Sequence, residues 1–401
     1  MNHTRIRYRA IALALVMTVI IAGSSRLRAD SGSCSGQTVT LPFTDVAGSP
    51  FFCQIAEAYF SGLSNGTSAT TYSPGQNVTR EQMAAFITRT QDQGIRRRSY
   101  RAALDQWWEG SFSTGGTTDV GNGPQSVESD GADLWVASFG GTVTRVHGSD
   151  GRALGTWTGA DMADGVVVIR GRIFITGETS PGSLYRIDPK QGAGPVDVAT
   201  NSLGNDPRGI TADESFIWTA NYGSGSVSRF NPASGVVTTF SAGFSLPEEI
   251  LYDGSHIWVS DSGDGTIKEV ASNGSILQTL SGFNAPHQPT FDGSNIWLPD
   301  SGAGTVTVIR VKDSQGNPLV QPFVLATLTG NGLADPYAAA FDGERVLVTN
   351  LGTDRVSLWR ATDFAPLGSF SVSSGSAPRG LCSDGINFWV TLAGTSKLAR
   401  F

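Results

Sequence analysis

The sequence is poor in charge. Of its 401 residues only 16% are Asp, Glu, Lys or Arg, and the formal net charge is −7. A mildly acidic chain lacks the basic face that nucleic-acid binding needs, so no nucleic-acid partner is expected. Apolar residues make up 39%, enough for a large core and too many for a disordered chain. Histidine and cysteine are scarce, at four and three residues. Neither a Cys-x-x-Cys nor a His-x-x-x-His pair occurs, which argues against a zinc site. A serine nucleophile elbow and a Gly-rich phosphate loop between a strand and a helix are missing too. After residue 23 no apolar run is long enough to span a membrane.

The start of the chain reads as a targeting segment. Arg5, Arg7 and Arg9 precede AIALALVMTVIIAG at 10–23, and small residues follow. A signal peptide over 1–29 is expected, with a cut after Ala29. Arg26 and Arg28 between core and cut keep a retained anchor open as the alternative. The mature chain is then exported, either secreted or at the cell surface. In that setting Cys34 and Cys53 are expected to form a disulfide. Cys382, within GLCSDG, reads as a buried small hydrophobe.

Glycine is abundant, at 50 residues, without a Gly-X-Y period. It points to many tight turns. Residues 34–93 hold a small module. FFCQIAEAYFSGL places Phe52, Ile55, Ala56 and Tyr59 at helical spacing, and NVTREQMAAFITRT puts Met83, Phe86 and Ile87 on one stripe behind Asn77 as a cap. The segment FTDV, a helix ending in a turn with Gly62 and Gly66, then Tyr72-Ser73-Pro74, then Val78-Thr79-Arg80-Glu81 resemble the S-layer homology (SLH) module in order and spacing. That resemblance implies binding of cell-wall or envelope polysaccharide through the Thr79, Arg80 and Glu81 segment, with Arg80 meeting an acidic sugar group. A guanidinium near a helix N-terminus suits an anion. The chain departs from the family in having Phe51-Phe52 where a Trp is usual, and one copy where three are usual.

Residues 94–118, which include GIRRRSYR, read as a basic linker. From 119 to 401 one hairpin recurs: GADLWVASFGGTVTRV at 131–146, GRIFITGETSPGSLYRI at 171–187, SFIWTANYGSGSVSRF at 215–230, SHIWVSDSGDGTIKEV at 255–270, SNIWLPDSGAGTVTVI at 294–309, ERVLVTNLGTDRVSLW at 344–359 and INFWVTLAGTSKLARF at 386–401. The second apolar position is Trp135, Phe174, Trp218, Trp258, Trp297, Leu347 and Trp389, in steps of roughly forty residues. Period-2 alternation at that spacing predicts a mainly β fold: a seven-bladed β-propeller behind a small N-terminal α-helical SLH-like module. A Pro-bearing segment before most copies is strand A, the hairpin is strands B and C, and the next alternating run is strand D. The large second-position side chains should fill the wedges between blades. Copy seven stops at strand C, so 100–112, YRAALDQWWEGSF, is expected to pair with 394–401 and close the ring. The repeats also resemble YVTN-type repeats, best in 345–359 and 216–235, and more loosely NHL and virginiamycin-B-lyase propellers. The last resemblance implies an enzyme with a His, a Glu and a magnesium ion at the propeller mouth; none of its catalytic residues is carried onto this chain.

Strand-A starts and B–C turns should open on one face. The starts supply Gln125, Arg208, Glu248, Glu249, His287, Tyr337 and Arg379; the turns supply Asn221, Asp261, Asp264, Asp300, Asn350 and Asp354. Three readings compete for this mouth. One is a binding face for a protein or glycan. Another is lyase or hydrolase chemistry with His287 as base and Glu248 or Glu249 as partner. The third is a divalent cation held by Asp261, Asp264 and Asp300, although DSGDG suits a hairpin turn in any case. No other cofactor is expected.

Overall fold

The computed structural model describes residues 29–34, 37–60, 63–87 and 116–401. The chain divides into two compact units, 1–109 and 110–401. The expected signal-peptide core, the Arg-rich stretch of the linker and the segment 100–112 lie outside the described residues.

The first unit is built on a β-hairpin that the sequence did not announce. Asp30–Cys34 pairs antiparallel with Gln37–Leu41. The helix Phe52–Phe60 packs Phe52, Ile55 and Ala56 against Leu41, Phe43 and Val46. Cys34 and Cys53 are disulfide-bonded with their Cα atoms 5.5 Å apart, joining hairpin to helix. The carboxylate of Asp45, in FTDV, accepts the backbone N–H groups of Tyr72 and Ser73 at 2.9 and 2.8 Å. Two of the sequence motifs are thereby one structural clip. Residues 80–87 are helical. Thr79, rather than Asn77, caps that helix: its Oγ1 accepts from the Gln82 N–H at 3.2 Å, while Gln82 Oε1 accepts from the Thr79 N–H at 2.9 Å.

The second unit is a seven-bladed propeller of four-stranded antiparallel sheets. Strand A of successive blades is Pro124–Ser129, Ala163–Ile169, Pro207–Ala212, Pro247–Tyr252, Thr290–Phe291, Pro336–Phe341 and Pro378–Ser383. In blade five two prolines, Pro286 and Pro289, cut strand A to two residues. Blade seven is closed by the N-terminal end of the unit, as expected, but by a different segment. Thr117–Asp119 pairs with the last strand, Thr118 opposite Leu398, and Lys397 Nζ lies 2.6 Å from Asp119 Oδ1. This strand leads directly into blade one, so a short ladder suffices to hold the seam.

The second-position residues fill the wedges between blades. Trp135 packs on Ile173 and Ile175 of blade two, Trp218 on Ile250 and Val259 of blade four, and Trp389 on Val127 and Leu134 of blade one. Phe174 and Leu347 do the same where Trp is lacking. An Asp in the A–B turn fixes each of the five Trp residues. Asp213, for example, accepts the Trp218 indole N–H at 2.8 Å through one oxygen and the N–H groups of Ser215 and Phe216 through the other. Asp130, Asp253, Asp292 and Asp384 repeat the arrangement. The one polar group of each buried indole is thus satisfied.

Around the axis the strands A crowd one another. A Cβ on Gly165 would sit 2.5 Å from the Arg208 carbonyl, and one on Gly380 would sit 2.2 Å from that of Gln125. Strand-B hydroxyls stitch neighbouring blades: Thr176 Oγ1 donates to the Arg208 carbonyl, Ser260 to that of His287 and Thr349 to that of Arg379.

Candidate functional site

Gln125, Asp164, Arg208, Glu248, Tyr337 and Arg379 stand second in their strands A and His287 just ahead of its own; of these seven, Gln125, Asp164, Tyr337 and Arg379 line the axial cavity. In six blades the ladder slips beside this position, as between Pro207 and Ile210 or Pro378 and Leu381. Such a bulge re-aims one side chain out of the alternation. Below the ring lies a cavity of about 280 Å³ lined by strand A of all seven blades, including Gln125, Asp164, Glu249, Gln288, Tyr337 and Arg379.

Arg208 is the hub of the mouth. Its nitrogens lie 3.3 Å from Glu248, 3.4 Å from Asp206 and 4.0 Å from Glu178. Its guanidinium stacks 3.7 Å above the Tyr222 ring. His287 comes next. Its Nδ1 is 3.3 Å from Glu248 Oε1, near enough for an ion pair but outside hydrogen-bond geometry, while Nε2 is 3.0 Å from Ser301 Oγ. Its ring meets Tyr337 at 4.5 Å, and Arg379 lies over Tyr337 at 4.9 Å. Aromatic and guanidinium faces therefore run unbroken from His287 to Arg379.

The carboxyl groups divide in two. Burial pushes Glu248 upward, but His287 and Arg208 outweigh it and hold the group below its ordinary value. Glu178 goes the other way, up to about 9, through burial first and then the charge and hydrogen bond of Asp164. Glu249 is held well above the usual carboxylate range by burial, with Asp164 and Glu248 adding repulsion. Deeper in the cavity, burial lifts Glu128 to about 7. Burial works against the Arg379 charge, yet Tyr337, Asp164 and Glu178 hold it firmly protonated. The site therefore sets side by side carboxyls whose surroundings push them in opposite directions.

Asp164, Glu178 and Asp206 belong to this site and were not singled out from sequence. Blade two begins with Ala163 where most sister blades have Pro, so its strand A gave no marker. Its place before the GRIFITG hairpin was the signal that could have found it. The B–C turns reach the mouth through Tyr222, stacked under Arg208, and Ser301, bonded to His287, while their sequence-predicted polar residues stand off the axial cavity. None of Asn221, Asp261, Asp264, Asp300, Asn350 or Asp354 lines the axial cavity. Most clip the incoming D–A loop instead: Asp261 accepts the N–H groups of Ser245 and Leu246, Asp300 that of Asn284, Asn350 that of Ala334 and Asp354 those of Gly375 and Ala377. The trio Asp261, Asp264 and Asp300 does not assemble. The ammonium of buried Lys268 sits between the first two at 2.7 and 2.6 Å, and no cluster of three or more metal-ligating side chains occurs among the described residues. Cys382 is buried on the cavity wall, its thiol pushed far up by burial and then by Glu128 and Asp384.

In the first unit Thr79, Arg80 and Glu81 are exposed at the start of the 80–87 helix. A groove of about 580 Å³ beside that helix is lined by Tyr72, Asn77, Gln82 and Phe86 rather than by those three.

Comparison with known proteins agrees with this architecture. Residues 42–84 match the S-layer homology domain. Residues 123–297 match a repeat of unknown function, DUF6923. No curated protein matches the sequence. Among solved structures the chain is similar to virginiamycin B lyase from Staphylococcus aureus, at 16% identity and a TM-score of 0.58, over 71% of this chain and 97% of that one. A catalytically inactive histidine-to-alanine form of that lyase with quinupristin gives the same figures. Kuenenia stuttgartiensis hydrazine synthase aligns at 15% identity and a TM-score of 0.58, over 74% of this chain and 98% of that one. At these identities the likeness establishes the propeller fold and nothing finer. Residues 42–84 are an SLH domain, which associates its bearer with the cell surface. No helix among the described residues is long and apolar enough to cross a membrane.

Proposed function

We propose that the chain is an exported envelope protein whose SLH domain tethers it to envelope polysaccharide and whose propeller presents a rigid binding face. The observation that carries this is the SLH match on the same chain as a closed propeller with a polar, converging mouth. Arg80 is the candidate contact to an acidic sugar, and its exposure at a helix start fits that role. A signal peptide over 1–29 and secretion belong to this reading. For the mouth, a glycan or protein ligand is favoured by the aromatic faces and the mixed donors and acceptors around Arg208, Tyr337 and Arg379.

Deletion of 42–84 tests the tether. The full chain should pellet with isolated envelopes and the deleted chain should stay soluble; retention after deletion contradicts it. Glycan-array binding of the full chain, with Tyr337→Ala beside it, tests the face.

A second reading is favoured by one contact, the approach of His287 to Glu248 at 3.3 Å. In it the pair performs lyase or hydrolase chemistry, the imidazole taking a proton and the carboxylate orienting it. Residues able to hold a divalent cation beside that pair are not assembled among the described residues, so no step is routed through one. His287→Ala would abolish such an activity and leave a binder folded and tethered.

A further inference from the structure

We propose that Ser301, His287 and Glu248 form a nucleophile, base and acid relay at the propeller mouth, with small carboxylic esters as its substrate class. The proposal rests on the second reading above, in which His287 and Glu248 act as a pair, and gives that pair a nucleophile.

The distances carry it. Ser301 Oγ lies 3.0 Å from His287 Nε2, and His287 Nδ1 lies 3.3 Å from Glu248 Oε1. A hydroxyl on one ring nitrogen and a carboxyl facing the other is the arrangement in which an imidazole activates a serine, and it is recognised by geometry rather than by sequence position. Glu248 is held below its ordinary value, so it meets Nδ1 as a carboxylate, which only accepts. The ring proton therefore belongs on Nδ1, and Nε2 is left to take the serine proton. The Ala285 carbonyl, a second acceptor near that hydroxyl, is farther away at 3.4 Å. The Nδ1 contact lies outside hydrogen-bond geometry, a looseness common before substrate binds. Ser149 also meets a histidine, His147, but at Nδ1, the nitrogen that Asp150 already occupies, so no relay forms there.

The backbone holds these groups in place. The His287 N–H donates to the Pro299 carbonyl at 3.0 Å, and the His287 carbonyl accepts from Ser260 Oγ at 2.9 Å. The next N–H, of Gln288, donates to the Tyr337 carbonyl of blade six at 3.0 Å. The Ser301 N–H donates to the Ala285 carbonyl at 3.1 Å. Such fixing keeps base and nucleophile in register. Glu248 is buried, whereas His287 and Ser301 are only half-buried and open to a substrate. Arg208 Nη1 lies 3.3 Å from the same Glu248 oxygen and brings a cation to this corner. As Ser301 Oγ bonds to the ester carbonyl carbon, its proton passes to His287 Nε2. The acyl C–O bond then breaks, the leaving alkoxide takes that proton, and the acyl group stays on Ser301. Water attacks the acyl carbon and gives a proton to Nε2; the acid leaves as Ser301 recovers that proton.

The test is hydrolysis of para-nitrophenyl acetate by the full chain, with Ser301→Ala and His287→Ala beside it and circular dichroism to confirm that all are folded. A fluorophosphonate probe followed by peptide mapping marks the nucleophile in the wild type itself. The probe should add to Ser301 and leave Ser149 bare, and both variants should lose about a hundredfold or more in kcat. A wild type without hydrolysis, or an adduct that is absent or on another residue, overturns the relay. If folded Ser301→Ala hydrolyses the ester as wild type does and His287→Ala does not, the nucleophile is wrong and the pair stands. If both variants hydrolyse it as wild type does, the relay and the reading of the pair fall together. The glycan array judges the binding face separately.

Discussion

Nδ1 of His287 lies 3.3 Å from Oε1 of Glu248, across the seam between blades four and five. Neither residue reaches this contact by local sequence alone. Each follows a proline, Glu248 after Pro247 at the start of strand A and His287 after Pro286 just ahead of the shortened strand A of blade five, and ring closure brings the two side by side. The same rule places Tyr337 against His287 and Arg379 against Tyr337.

Removing the imidazole leaves buried Glu248 with Arg208 as its remaining cation. His287→Ala should therefore lower stability by about 1–3 kcal/mol, read as a shift in urea midpoint. Because Glu248 is held below its ordinary value, its contribution is present above about pH 4.5 and is lost as pH falls through the folded value. The wild type should thus lose more stability than the variant on acidification below that point. Equal acid sensitivity would contradict the pairing.

Glu178 and Glu249 have the opposite sign. Their folded values lie above their unfolded ones, so above about pH 4.5 the native state keeps protons that the unfolded chain has lost, in the case of Glu178 up to about pH 9. Stability should fall as pH rises through this window. Urea midpoints at pH 5, 7 and 9 give the slope, and Glu178→Gln should flatten it. A midpoint that rises with pH in the wild type would show these carboxyls to be ionised.

The Asp–Trp clip predicts a local loss that apolar packing does not cover. Asp213→Ala removes three hydrogen bonds and leaves the Trp218 indole N–H buried without an acceptor. It should cost about 2–3 kcal/mol, visible as a lowered thermal midpoint. Glu214→Ala, one residue on and without that bond, should leave the midpoint within about 0.5 kcal/mol of wild type.

Lys268 neutralises Asp261 inside blade four. Lys268→Met should destabilise by about 3–5 kcal/mol, since it leaves a buried carboxylate uncompensated. Adding Asp261→Asn and Asp264→Asn should recover most of that loss in denaturant titration. Failure to recover would mean that shape rather than charge holds the turn.

Much of this architecture could be read in the sequence, because a blade repeats its own grammar. Seven alternating hairpins, their Trp positions and the Pro before strand A announce the wedge packing. The missing fourth strand of blade seven also announced closure from the N-terminal side. Which residues close it was misread, since 117–119 is too short to show any alternation of its own. The mouth was half legible. Six of its ring residues follow the Pro marker, but Asp164 follows Ala163, and Glu178 and Asp206 reach the site from turns. The Asx residues of the B–C turns looked like the same mouth. Their partners are backbone N–H groups some sixteen residues upstream or twenty-odd residues downstream, a relationship visible only once the D–A loop has folded back.

The most direct measurement is co-sedimentation of the mature chain with isolated envelopes, wild type beside Arg80→Ala, with circular dichroism to confirm that both are folded. The account predicts that wild type pellets and that Arg80→Ala remains largely in the supernatant, with an unchanged spectrum. If a folded Arg80→Ala pellets as completely as wild type, Arg80 is not the saccharide contact. If folded wild type stays in the supernatant, the SLH domain does not tether this chain and the central claim is wrong.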